Sequence, residues 1–237
     1  MVILMKDYVD LINTDSYSVD EVIRLFYNSF DDDVLKEHTF DELKRAGKMF
    51  FTFIRQRTVD EIVSIIDDGT DLLAITNPAN IPQFSNIEVV EKLLPLVEAN
   101  AGIECNYTLL GYFFNKEADI RAQTKYGENH YKTAMLMGLV KKYKPFDVTP
   151  LGFLYMDMSI PSEDRSDIKK KLYLRIPLIR YIMLKARKES VNVYEVMSNY
   201  LADSTVKRRI SNVRLMVDSL VGLSDNKVTY DINIKWA

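Results

Sequence analysis

Cysteine is almost missing from this chain. Cys105 stands alone among 237 residues, so no intrachain disulfide can form. Histidine is scarce as well: His38 and His130 are the two, far apart in sequence. A Cys/His zinc cluster is thereby excluded, and only a carboxylate metal site stays open. Eight glycines form no phosphate-cradling loop. No run of about eighteen apolar residues occurs, so no membrane-spanning helix is expected. The opening MVILMKDYVD has no basic region before its short apolar stretch, which makes it a poor signal peptide and points to a cytoplasmic protein.

What is present describes a folded chain. Apolar residues make up 47% and charged residues 27%, so the low hydrophobicity and large net charge of a disordered chain are both absent. The length suffices for a substantial core. The net charge of −3 conceals an uneven distribution. Residues 1–85 hold 8 Lys and Arg against 16 Asp and Glu, and residues 86–164 hold 8 against 11. Residues 165–237 reverse the balance, with 15 against 7. A charge run is ordinarily a solvated face. A strongly basic third in an acidic protein also fits a localised anionic partner.

The patterning is helical. Ser18-Val19-Asp20-Glu21, Thr39-Phe40-Asp41-Glu42 and Thr58-Val59-Asp60-Glu61 are three capping boxes, each followed by apolar residues at helical spacing. Residues 1–85 therefore read as an acidic helical domain, and TNPANIPQFSN at 76–86 as an uncharged linker or long loop. A second unit spans 86–160. Its helices are expected from Ile87 to Val97, from Asn106 and over Thr124–Gly138, followed by a short β-wing over Phe146–Gly152. A third unit spans 161–237. Its helices are expected at Pro177–Lys188, Val193–Leu201 and Ser204–Leu220, the last capped by Asp203 or Ser204. Val206, Ile210, Val213, Val217 and Leu220 give that helix its inner stripe. Asp225-Asn226 reads as a hairpin turn, and the alternation of Val228, Tyr230, Ile232 and Ile234 as a strand. The expected fold is mostly α (α+β): a helical domain followed by two tandem winged helix-turn-helix domains.

Tyr126-Gly-Glu-Asn-His-Tyr131, Gly138-Leu139-Val140 and Val148-Thr149-Pro150-Leu151-Gly152 resemble a winged-helix segment common in type II restriction endonucleases. There a paired-tyrosine helix ends in leucine-glycine-leucine and precedes a leucine-threonine-x-x-glycine wing. Ser204-Thr205-Val206-Lys207-Arg208-Arg209-Ile210-Ser211-Asn212-Val213 is similar to the second winged helix of those proteins. Tyr126 and Tyr131 stand apart where the family pairs them, and no tryptophan follows Val213. The resemblance covers about residues 86–237 and implies sequence-specific binding of double-stranded DNA, with the nuclease and its Mg2+ in a separate domain or subunit. No cofactor is expected in this chain itself. The residues expected to meet DNA are Ser204, Thr205, Lys207, Arg208, Arg209 and Asn212, with Lys125, Asn129 and Lys132 on the first unit. Thr205, Arg208, Arg209 and Asn212 fall at i, i+3, i+4 and i+7, one stripe roughly opposite the apolar one. Lys125, Glu128, Asn129 and Lys132 repeat that spacing.

A catalytic site is not legible. Glu42-Leu43-Lys44 after Asp31–Asp33, Asp167-Ile168-Lys169 in a loop, and Asp225-Asn226-Lys227 in a wing turn match the letters of a nuclease motif without its strand context. A winged-helix transcription or replication regulator and a protein-interaction module are the alternatives.

Overall fold

The computed structural model describes residues 57–65, 75–84, 87–102, 104–156 and 162–237. The capping boxes at Ser18 and Thr39 and the Glu42-Leu43-Lys44 triplet lie outside them. The described residues are mostly helical, with few strands.

The third capping box forms as its sequence dictates. The Glu61 amide donates to Thr58 Oγ1 at 3.2 Å, and Glu61 Oε2 accepts from the Thr58 amide at 2.7 Å. It opens α1 (Val59–Ile65), which buries Val59, Ile62 and Val63. The stretch read as a linker contains a short 3-10 turn at Pro78–Asn80 and buries Ile81, and Ile75 just before it is buried as well.

Helix α2 (Ile87–Ala99) follows, then α3 (Tyr107–Phe114) and α4 (Ile120–Leu136). Asn106 caps α3 by accepting from the Leu109 amide at 3.0 Å. Asp119 caps α4 through the Ala122 amide at 2.8 Å, which starts that helix four residues before the expected Thr124. Two glycines let α3 and α4 touch backbone to backbone. A Cβ on Gly111 would fall 1.8 Å from the Gln123 carbonyl oxygen, and one on Gly127 would fall 2.0 Å from that of Tyr107. Gly138, at φ +77°, ends the α4 segment, and the Leu139 amide reaches back to the Ala134 carbonyl at 3.0 Å.

A minimal hairpin follows over residues 139–149. Val140 and Val148 form an antiparallel bridge, flanked by Lys141 N–H to Asp147 O at 2.8 Å and Thr149 N–H to Leu139 O at 3.0 Å. The expected β-wing through Gly152 therefore stops short. Pro150–Met156 is helix α5, started by Thr149 Oγ1 accepting from the Gly152 amide at 3.1 Å.

The basic third begins with α6 (Ser162–Leu172), a 3-10 turn at Tyr173–Arg175 and α7 (Pro177–Ala186). Strand β1 (Val191–Asn192), α8 (Val193–Ser198) and α9 (Asp203–Val221) come next. Helix α9 buries Val206, Val213, Val217 and Leu220 as its spacing predicts, with Ile210 half-buried. Its cap is Ala202, which forms no side-chain bond. Asp203 is instead drawn to the Tyr194 hydroxyl and to Lys207, at 2.8 Å, so the expected Asp203 or Ser204 cap is replaced.

The largest departure follows α9. Lys227–Asn233 is helix α10, and only Ile234–Lys235 is a strand, β2, paired in parallel with β1. The expected hairpin and its strand are absent here. Val228 and Ile232 point outward, while Tyr230 is buried and donates its hydroxyl to Asp60 Oδ1 at 2.8 Å. Asp60 also accepts from Ser224 Oγ at 2.5 Å and from the Asn226 amide at 2.7 Å. One apolar core runs from Val59 to Ile234, so α1 shares its packing with the C-terminal helices. Asp60 is a buried polar group satisfied from three sides.

Candidate nucleic-acid interface

The expected reading stripe divides into two parts. Ser204, Lys207 and Arg208 are exposed near the start of α9, and Thr205 is half-buried. Arg208 makes no hydrogen bond or ion pair among the described residues. Lys207 pairs with Asp203 one turn earlier. Arg209 and Asn212 are half-buried and turned to the chain itself. Arg209 Nη1 donates to the carbonyls of Pro78 at 2.9 Å and Ile81 at 3.1 Å. Asn212 Nδ2 donates to the Gln83 carbonyl at 2.6 Å. Both side chains thus hold the 78–83 segment against α9.

The same segment reaches α4. The Phe84 ring stacks on His130 at 4.7 Å, and Thr133 Oγ1 donates to the Phe84 carbonyl at 3.4 Å. Tyr126 and Phe114 complete an aromatic surround for the imidazole. Burial pushes the His130 imidazole below its ordinary value, against the hydrogen bond between Nδ1 and the Tyr126 carbonyl at 2.8 Å. The imidazole is packed among three aromatic rings.

On α4, Glu128 takes Lys125 at 2.5 Å and Lys132 at 2.7 Å. Their hydrogen bonds hold the Glu128 carboxyl below the usual carboxylate range. Two of the three residues expected to face DNA, Lys125 and Lys132, therefore share one carboxylate within the helix, and the trio with Glu128 keeps a net charge of +1. Asn129 lies half-buried, with Oδ1 shielded from solvent and lacking a hydrogen-bond partner.

The hairpin tip was not among the expected contacts. Lys142, Tyr143 and Lys144 are exposed, Tyr143 at 72%, and Lys142 Nζ lies 5.3 Å from the Tyr143 ring centroid. The Lys141–Asp147 ion pair, at 2.9 Å, closes the base beneath. The basic run was visible in sequence, but its presentation on a turn was not. No sequence signal announces the 78–83 strap, because backbone carbonyls leave no side-chain signature.

The nuclease triplets do not converge. Asp167 and Lys169 lie on α6 rather than in a loop, and Lys169 is buried against Glu91 at 3.0 Å. Asp225-Asn226-Lys227 leads into α10 rather than occupying a wing turn. Among the described residues, no three His, Cys, Asp or Glu side chains are placed together to hold a metal ion. No described helix is long and apolar enough to cross a membrane. Comparison with family models, curated proteins and solved structures yields no match.

Proposed function

We propose that this protein is a cytoplasmic, sequence-specific binder of double-stranded DNA, the recognition part of a type II restriction endonuclease whose nuclease lies in another domain or subunit. The observation that carries this reading is the exposed Arg208, unpaired among the described residues, beside Ser204, Thr205 and Lys207 at the start of α9, within the basic third. The order α2, α3, α4 and hairpin supports a winged helix in the first unit. The order α7, α8 and α9 supports a helix-turn-helix in the second. In this reading α9 enters a major groove, Arg208 reads a guanine edge, and Lys207 and the hairpin lysines meet phosphates.

Arg209 and Asn212 are assigned to holding the strap rather than to base reading. Selection of bound duplexes from a random pool tests the proposal. Arg208→Ala is expected to cost about 1–3 kcal/mol on the preferred site and to relax one base position. Lys207→Ala is expected to weaken all sequences alike. Identical preferences in the parent and both variants would remove α9 as the reader. A protein-interaction module is the second reading, favoured by Val228 and Ile232, exposed at 75% and 69% on one face of α10. Failure of the folded chain to bind any duplex at low salt points there.

A further inference from the structure

We propose that Arg175, lying across Gly138 between the end of α4 and the start of α7, is the centre of a binding site for a phosphate group. The seat is built for the guanidinium. A Cβ on Gly138 would fall 2.4 Å from Arg175 Nη1, 2.5 Å from Cζ and 2.6 Å from Nη2. Only the absence of that carbon, at a φ of +77° that L side chains rarely adopt, admits the group. No carboxylate among the described residues answers it. Among the described residues Arg175 makes no hydrogen bond or ion pair, and the neighbouring charge acting on it is Arg180, of the same sign. Burial and Arg180 together pull the guanidinium down to about 10, which leaves it fully charged at neutral pH.

Arg175 is half-buried. A desolvated cation beside a second cation is costly unless an anion completes it. Its planar fork suits the oxygens of a phosphate bidentately, as an ammonium point charge would not. The phosphate could be one of a DNA backbone, or free phosphate or a nucleotide. The site does not depend on α9 being the DNA reader.

Thermal unfolding of the full chain tests it, in inorganic phosphate, acetate and chloride at matched pH and ionic strength. Phosphate is expected to raise the midpoint of the parent by about 2–4 °C over chloride, and acetate to leave it unchanged. Arg175→Met is expected to lose that increment. Its own midpoint in chloride should equal or exceed the parent's, because an unpaired charge has been removed; a purely structural arginine would give a lower one. Arg175→Lys, which keeps charge without the fork, is expected to fold like the parent and show a smaller increment.

Equal midpoints of the parent in all three salts, or an undiminished increment in either variant, would overturn the proposal. The salt dependence of duplex binding identifies the source. A slope of log K against log salt shallower by about 0.9 in Arg175→Met places a backbone phosphate there. An unchanged slope with the phosphate increment intact in the parent assigns the site to free phosphate or a nucleotide. A chain that binds no duplex but keeps the increment loses the DNA reading and retains this site.

Discussion

At the scale of single residues, Asp60 is a buried polar group tied to several elements at once. Its carboxylate takes hydrogen bonds from Ser224, Asn226 and Tyr230, and its carbonyl accepts from Arg187 Nη1 at 2.9 Å. Burial pushes its carboxyl up, but the bonds from Ser224, Tyr230 and Asn226 together outweigh this and hold it below the ordinary value of an aspartate. The unfolded chain binds this proton more readily than the folded one. The stabilisation is therefore complete above the unfolded value, near about 3.9, and is lost as pH falls through the lower folded value. Asp60→Asn is expected to cost about 1–3 kcal/mol at pH 7, read by urea unfolding, and to flatten the loss of stability below about pH 4. Equal slopes with pH in the parent and variant would show that Asp60 does not carry the effect.

Among elements, the 78–83 strap with Phe84 and the α3–α4 crossing are the joints that position α4 and α9. Arg209 spends its guanidinium on two strap carbonyls, so Arg209→Ala is expected to destabilise the fold by about 1.5–3 kcal/mol, the range for bonds to charged groups. Hydrogen exchange at residues 79–84 should quicken while that of α7 stays unchanged. Loss of DNA affinity with no change in exchange would instead return Arg209 to the reading surface. At the helix crossing, Gly127→Ala drives a methyl into the Tyr107 carbonyl, a backbone atom that cannot turn aside. The cost is expected to be about 3 kcal/mol, measured by thermal unfolding, since overpacking of a close contact is relieved only by moving a helix.

At the scale of the whole molecule, the basic third shares its core with α1. Helix α1 packs on α7, and Asp60 ties the turn before α10. A fragment of residues 165–237 lacks Val59, Asp60, Ile62 and Val63, and its melting midpoint, followed by circular dichroism, is expected to lie below that of the full chain. An equal midpoint would show that α1 adds nothing.

The sequence by itself determined the helical class, the third capping box, the α2 and α7 helices and the inner stripe of α9, because caps and apolar periodicity act within one or two turns. Only the tertiary structure decided three other points. The alternation from Val228 to Ile234 also fits a short helix that turns Val228 and Ile232 outward, and the buried Asp60–Tyr230 bond favours that helix. The α9 stripe was read correctly as polar, yet which of its residues face solvent depended on where the 78–83 carbonyls came to lie. The seat of Arg175 on Gly138 joins positions distant in sequence, and neither residue alone hints at it. Local rules of spacing carry no information about such contacts, which exist only once the core has closed.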